Sequence, residues 1–224
     1  MAAVIGVLAV VTLALTAFDN ESAPAVSRPA PLPVTSAPPD PHILATVGNL
    51  RVQSPVAEGG VTAIGFHGSE DGALVVKPVG PQVNEGLVAR LWRRITGASR
   101  SGLAWYQLSG GPLRTLDVGA VAGTDVYSPV DGAVVGITPY VLAGKHMGAR
   151  VDIQPSGNPS LVVSLTHLRP DPNLTVGSTL AASTSKVGTI LDFAKVEHQA
   201  LARVTADAGN HVAIEIHPAT LSLP

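Results

Sequence analysis

Short runs of apolar residues, separated by turn-forming residues, occupy most of the chain after residue 44. Residues 61–66, 133–138, 161–166 and 211–216 are rich in Val, Ile and Ala, and nearly every junction between such runs holds Gly, Pro, Asn, Asp or Ser. Apolar runs of this length, divided by turn residues, are typical of β-strands. The pattern therefore predicts a mainly β protein built on an antiparallel β-sheet or sandwich.

Two segments show helical periodicity instead. Residues 85–95 place their apolar side chains at helical spacing, and Gly97 follows as a stop signal. Residues 192–207 repeat the pattern, with Asp192 as a candidate N-cap and Gly209 just beyond the end. We therefore predict one or two short helices beside the strands. The second could cover or reshape a groove in the sheet, or it could be a packing element without a role in a site.

The N-terminus differs from the rest of the chain. Residues 1–18 carry no charge, and their length is the lower limit for a membrane-spanning helix. No Lys or Arg precedes Arg28, whereas a secretion signal normally begins with positive charge. We therefore predict a hydrophobic helix that anchors the chain by a single pass, with the remainder extracytoplasmic. A secreted protein, cleaved after Ala17, is the alternative.

The remaining sequence divides into a linker and two β-rich segments. Residues 19–43 contain seven prolines, which favour an extended, semi-rigid tether. Residues 44–112 are interpreted as an N-terminal β-rich subdomain with a helix, and residues 113–224 as the main domain. The linker supports the anchor, because a tether serves a purpose only when both of its ends are attached.

Composition narrows the range of functions. The 224 residues include only 14 Lys and Arg, and the formal net charge is −2. This balance excludes the basic surface that nucleic-acid binding requires. The chain has no cysteine, which excludes disulfide scaffolds, thiolate metal ligands and cysteine nucleophiles.

Histidines and carboxylates that suit metal or proton chemistry concentrate in the second half of the chain. They are His146, His167, His198, His211, His217, Asp117, Asp131, Asp152 and Glu215. None shows the HExxH spacing of one large class of zinc peptidases. His211 and Glu215 lie four residues apart on one predicted strand, so we expect them on the same face. His67 has no evident partner in the sequence and is interpreted as a surface or turn histidine.

Three motifs in this half carry a family resemblance. They are DVGAVAGTDVYSPVDGAVV at 117–135, LTHL at 165–168 followed by VGSTL at 176–180, and GNHVAIE at 209–215. In this order they resemble the lysostaphin/LytM-type zinc endopeptidases, which cut peptidoglycan cross-bridges. The resemblance covers about half of the chain and implies that family's β-fold, a duplicated hybrid motif-like sheet.

The resemblance is incomplete at the metal site. The family binds zinc through a His four residues before an Asp, through that Asp, and through the second His of an H-x-H motif. Asp117 matches the aspartate, whereas Leu113 and Ala213 occupy the two histidine positions. The two catalytic histidines that do not bind metal correspond to His167 and His211, which we regard as vestigial candidates.

This departure leads to the expected function. We predict a membrane-tethered, extracytoplasmic, non-catalytic peptidase-like domain without a cofactor, whose partners are peptidoglycan or a cell-wall hydrolase or division protein. The alternative is an active zinc endopeptidase with a rewired site of Asp117 and His211 completed by His146 or His167. A third possibility is a structural envelope protein that uses only the stability of the fold.

Overall fold

The computed structural model describes residues 37–69, 72–80, 103–142, 144–194 and 199–219, and of residue 142 the backbone only. All of these residues belong to one compact unit. The strands in the described part are β1 (Ile43–Val47), β2 (Leu50–Gln53), β3 (Val61–His67), β4 (Lys77–Pro78), β5 (Trp105–Gln107), β6 (Thr115–Ala120), β7 (Asp125–Tyr127), β8 (Gly132–Leu142), β9 (Lys145–Pro155), β10 (Leu161–Pro170), β11 (Thr179–Leu180), β12 (Lys186–Ile190) and β13 (His211–Pro218). The predicted mainly β fold is therefore confirmed.

The strands form one large sheet and one small sheet. The large sheet has the order β11-β8-β9-β10-β13-β6-β3-β5, with β12 pairing with β10 and β7, and the small sheet has the order β2-β1-β4. Every pairing is antiparallel except that of β3 with β5. Strands β3 and β5 come from before residue 113, and β3 hydrogen-bonds directly to β6 in the main sheet.

The two faces of the central strands have different chemistry. On one face, Leu116 and Val118 of β6 pack with Ile214 and Ile216 of β13, all fully buried in the hydrophobic core. Burial of each such side chain contributes about 1.5–3 kcal/mol to folding. Because side chains alternate along a strand, the opposite face presents the polar residues between them. The core thus fixes the position of that polar face.

Paired polar residues cross this face in a continuous row. Asp152 of β9 pairs with Ser164 of β10, Ser164 with Glu215 of β13, Glu215 with Thr115 of β6, and Thr115 with His67 of β3. Directly opposed residues of antiparallel strands point to the same side of a sheet. We call these five residues the polar row.

A bulge interrupts β10 beside the polar row. The register of β10 against β9 shifts between Leu165 and Leu168, and His167, within this interval, has a φ of 64°. Such a φ is uncommon for a residue other than glycine, and a bulge redirects the side chain it carries. The bulge therefore explains how His167 departs from the regular alternation of its strand.

Of the two predicted helices, the second alone lies largely within the described residues. In the segment 192–207, the described residues form no α-helix, only a 3₁₀ turn at Ala200–Arg203. Asp192 Oδ1 does accept a cap-type hydrogen bond from the Ala194 amide, but the Phe193 amide donates to Asn210 Oδ1, which ties this backbone to the residue before β13. Residues 195–198 lie outside the described residues.

Several other predictions also fall outside the described part of the chain. They concern the hydrophobic segment 1–18, most of the linker 19–43, and the helix at 85–95. No helix among the described residues is both long and apolar enough to cross a membrane. The membrane anchor therefore stays a prediction.

Candidate functional site

A cavity of about 450 Å³ lies over the polar face of the large sheet. Asp117, His167 and His211, the three site residues that the sequence predicted, all line it. Glu215 lines it too and shares a face with His211, as their spacing predicted. Three residues from different strands therefore converge as the motifs require.

Asp117 lies at the centre of the cluster and is almost completely buried. Its Oδ2 atom is 3.2 Å from His67 Nε2, and its Oδ1 atom is 3.6 Å from His211 Nε2. Oδ1 has no hydrogen-bond partner among the described residues. Burial alone would raise the pKa of Asp117, but attraction to His211, His67 and His167 outweighs burial and holds the pKa below its usual value. Asp117 is therefore an anion held by histidines.

His67, which the sequence suggested was a surface or turn histidine, lies in the cavity and contacts Asp117. Its Nε2 atom contacts Asp117, and its Nδ1 atom donates a hydrogen bond to the Gly68 carbonyl at 2.6 Å. The hydrogen bond to Asp117 is the largest cause that raises the pKa of His67 to about 9. His67 is thus an imidazolium at neutral pH, and it forms an ion pair with Asp117. Ala63, Gly65 and His67 stand at alternating positions in the sequence, so they share one face of a strand. This spacing was the signal in the sequence that could have indicated on which face His67 lies.

His167 and His211 form a second pair. His167 Nδ1 and His211 Nε2 are 2.9 Å apart, and His211 Nδ1 donates to the Gly209 carbonyl at 2.7 Å. Burial is the main cause that lowers the pKa of His167 to about 3, so this ring is neutral. One of these two facing nitrogens donates its proton to the other, and the direction is set by the tautomers of the rings. The separation of 3.6 Å between His211 Nε2 and Asp117 Oδ1 is too long for a hydrogen bond.

Aromatic rings hold His167 in place. Its ring centre is 5.4 Å from that of Tyr140 and 4.6 Å from that of Phe193. Phe193 is fully buried, and the Leu191 amide next to it donates a hydrogen bond to the His167 carbonyl at 3.1 Å. The unusual φ of His167 is therefore maintained by packing and by the backbone, which is common for strained residues at functional sites.

Glu215 provides a second anion in the cavity. Its Oε1 atom accepts a hydrogen bond from Thr115 Oγ1 at 2.8 Å, and its Oε2 atom is 3.3 Å from His217 Nε2. Burial acts to raise the pKa of Glu215, but hydrogen bonds from His217, Ser69 and Thr115 lower it to about 2. Both oxygens of this carboxylate are already bound by groups of the protein.

Arg150 forms the far end of the cavity, and the sequence analysis did not identify it. Its Nε atom donates to Asp152 Oδ1 at 2.7 Å, and its Nη2 atom donates to Ser164 Oγ at 2.9 Å. Ser164 Oγ in turn donates to the same Asp152 oxygen at 2.6 Å. The three side chains form a closed triangle of hydrogen bonds across β9 and β10.

The segment predicted to cover the groove does border the cavity. Gln199 and Ala200 line it, and the buried Leu201 packs over two glycines of the sheet. A Cβ atom on Gly65 would lie 2.9 Å from Leu201, and one on Gly119 would lie 2.6 Å from it. The absence of side chains at these two glycines therefore makes room for the 3₁₀ turn.

The side chains present do not fit a zinc centre of the family type. Zinc sites in hydrolases use three protein ligands and one open position. Leu113 and Ala213 offer no donor, and no group of three His, Asp or Glu side chains in the described residues could hold a metal ion. His146, one candidate replacement ligand, is exposed on β9 and is not among the residues that line the cavity. His67 already contacts one oxygen of Asp117. Of this carboxylate, the other oxygen alone remains available as a metal ligand.

Several solved structures are similar to parts of this chain. Lysostaphin in solution is 14% identical with a TM-score of 0.36, and the similarity covers 49% of this chain and 38% of lysostaphin. Csd3 of Helicobacter pylori, in its hexagonal crystal, is 20% identical with a TM-score of 0.33, covering 48% and 24%. The M23 metalloprotease pseudoalterin from the deep sea is 17% identical with a TM-score of 0.32, covering 50% and 58%.

In each case the chain spans less than two thirds of the similar protein's length. No protein-family model matches the chain, and no curated protein does.

Proposed function

We propose that the cavity binds peptides of bacterial peptidoglycan and does not hydrolyse them. The observation that carries this proposal is the ion pair of His67 and Asp117. It occupies the one carboxylate that the sequence motifs match to a metal ligand, while Leu113 and Ala213 stand at the other two ligand positions. The charges of His67 and Asp117 thereby compensate each other without a metal ion.

The remaining groups support binding better than hydrolysis. His167 and His211 could supply general acid–base help worth about 10²- to 10⁴-fold. Enzymes reach accelerations of about 10⁶-fold and more, so this contribution alone is too small. Hydrogen-bonding side chains that line a cavity fixed by a rigid sheet are instead well suited to holding the amides of an extended peptide.

The sequence motifs suggest which peptides and which compartment. They resemble enzymes whose substrates are peptidoglycan cross-bridges, so a stem peptide or cross-bridge is the proposed ligand. We further propose that residues 1–18 tether the domain outside the cytoplasm. There it could hold peptidoglycan directly or present a bound peptide to a cell-wall hydrolase or division protein.

Three measurements on the whole 224-residue chain in detergent test this function. We expect the chain to co-sediment with insoluble peptidoglycan, to purify without stoichiometric zinc, and to release no fragments from cross-linked peptidoglycan. Loss of co-sedimentation in a competition with soluble stem peptides would locate binding to the peptide part. Absence of co-sedimentation, with or without a partner hydrolase, would contradict the proposal.

One observation favours the second candidate, a zinc endopeptidase with a rewired site. Asp117 Oδ1 lacks a hydrogen bond, and His67 and His211 lie 3.2 and 3.6 Å from the two oxygens of the same carboxylate. Stoichiometric zinc, together with peptidoglycan cleavage that Asp117→Ala and His67→Ala each abolish, would establish this alternative and overturn the non-catalytic function.

A further inference from the structure

We propose that Arg150 recognises a carboxylate of the bound peptide. The inference rests on the proposed peptide binding and names the chemical group that the cavity selects. Arg150 lies at the β9 side of the cavity, across the sheet from the ion pair of Asp117 and His67. Three structural features support this role.

The first feature is the fixed orientation of the guanidinium. Two of its N–H groups donate to Asp152 Oδ1 and Ser164 Oγ, and Ser164 binds the same Asp152 oxygen. Asp152 and Ser164 are 6% and 2% exposed, so these anchors are firmly seated in the sheet. Because the guanidinium is planar, two contacts along one edge also set the direction of the other edge.

The second feature is the set of donors that remains. The contacts to Asp152 and Ser164 use the side edge of the guanidinium, formed by Nε and Nη2. The terminal edge, formed by Nη1 and the second N–H of Nη2, has no partner among the described residues. The side chain of Arg150 is 32% exposed and lines the cavity, so these donors are open to a ligand. Two parallel N–H groups of this kind match the two oxygens of a carboxylate.

The third feature is the charge of the surroundings. Among the described residues that line the cavity, the carboxylates of Asp117 and Glu215 already have donors from the protein. Neither therefore needs Arg150. These anions would repel a doubly charged ligand more strongly than a singly charged one, which favours a carboxylate over a phosphate dianion.

The carboxylate could be the C-terminus of the peptide or belong to one of its side chains. A set of synthetic peptidoglycan stem peptides separates these sources. One peptide has both carboxylates free, a second is amidated at the C-terminus, and a third is amidated at the side chain. Isothermal titration calorimetry on the whole 224-residue chain in detergent measures the dissociation constant of each.

We expect one of the two amides to bind about 10- to 100-fold more weakly than the free acid, the range for a hydrogen bond to a charged group. We expect Arg150→Lys and Arg150→Gln to bind the free acid about as weakly as the native chain binds that amide. Both variants should lose the distinction between acid and amide. Arg169→Gln, at an exposed arginine outside the cavity, is the matched control and should keep it.

The outcomes separate this inference from the function on which it rests. If the native chain binds all three peptides equally, peptide binding stands and carboxylate recognition is wrong. If Arg150→Lys keeps full selectivity, the assignment to Arg150 is wrong. If the native chain binds none of the peptides, carboxylate recognition fails, and co-sedimentation with peptidoglycan decides separately whether the proposed function stands. The comparison of peptides on the native chain decides the first point even if Arg150→Gln does not fold.

Discussion

Two buried carboxylates lie on the same face of the large sheet, and their surroundings differ. Asp152 is bound by Arg150, which carries a permanent charge, and by Ser164, and a single oxygen of Asp152 receives both hydrogen bonds. Asp117 is surrounded by histidines, and one of its oxygens receives no hydrogen bond within the described residues. The first arrangement contains no imidazole, whereas the second depends on the protonation of imidazoles.

The difference indicates how one sheet can hold two kinds of site. At the Asp152 end, hydrogen bonds to one carboxylate oxygen hold Arg150 and Ser164 in fixed positions. At the Asp117 end, the net charge changes when one histidine gains or loses a proton. The largest expected effect therefore comes from changing the carboxylate at the end that depends on histidine.

Replacing Asp117 with Asn should destabilise the protein by about 3 kcal/mol at pH 6, because removal of one partner of a buried ion pair leaves the other uncompensated. The cost should be about 1 kcal/mol smaller at pH 10, where His67 is neutral in the native chain as well. Urea unfolding of both proteins at the two pH values measures this difference. Equal costs at both pH values would show that the ion pair contributes nothing.

Replacing Asp152 with Asn should cost less, about 2 kcal/mol, because Arg150 keeps its hydrogen bond to Ser164 when the charge of Asp152 is lost. This cost should be the same at pH 6 and pH 10. The same unfolding series provides the measurement. A cost that changes with pH would contradict the distinction between the two ends of the sheet.

The native chain should also lose stability as the pH rises. The pKa of His67 is raised to about 9 in the folded protein, above its ordinary value of 6.5. The folded state therefore binds more protons than the unfolded state between these values, so the stabilisation is complete below about pH 6.5 and is lost as the pH passes 9. Since His67 is partly exposed, we expect a loss of about 1 kcal/mol. In His67→Gln this decline should be absent, and in Asp152→Asn it should persist.

Local sequence patterns predicted the strands and three residues of the site, but not their partners. Asp117, His167 and His211 belong to motifs of a few residues, which can be recognised in isolation. His67 meets Asp117 only because β3 pairs with β6, a contact that the alternation of either strand alone does not specify. Arg150 was missed for the same reason, because its role depends on Ser164 in the neighbouring strand.

The second helix was overestimated because periodicity does not account for competing contacts. The apolar positions of residues 192–207 include Phe193 and Leu201, and both are indeed buried. They pack against the bulge at His167 and the two glycines of the sheet, and polar contacts hold the described backbone in an irregular path. Spacing thus identified buried residues correctly while the backbone between them followed tertiary contacts.

The pairing of β3 with β6 has a consequence for any attempt to isolate the C-terminal half of the chain. A fragment that begins at residue 113 would retain every family motif, yet it would expose the whole edge of β6. Unpaired N–H and C=O groups along an apolar strand are a template for intermolecular association. Such a fragment should aggregate, and in it Asp117 would lose the counterion that His67 provides.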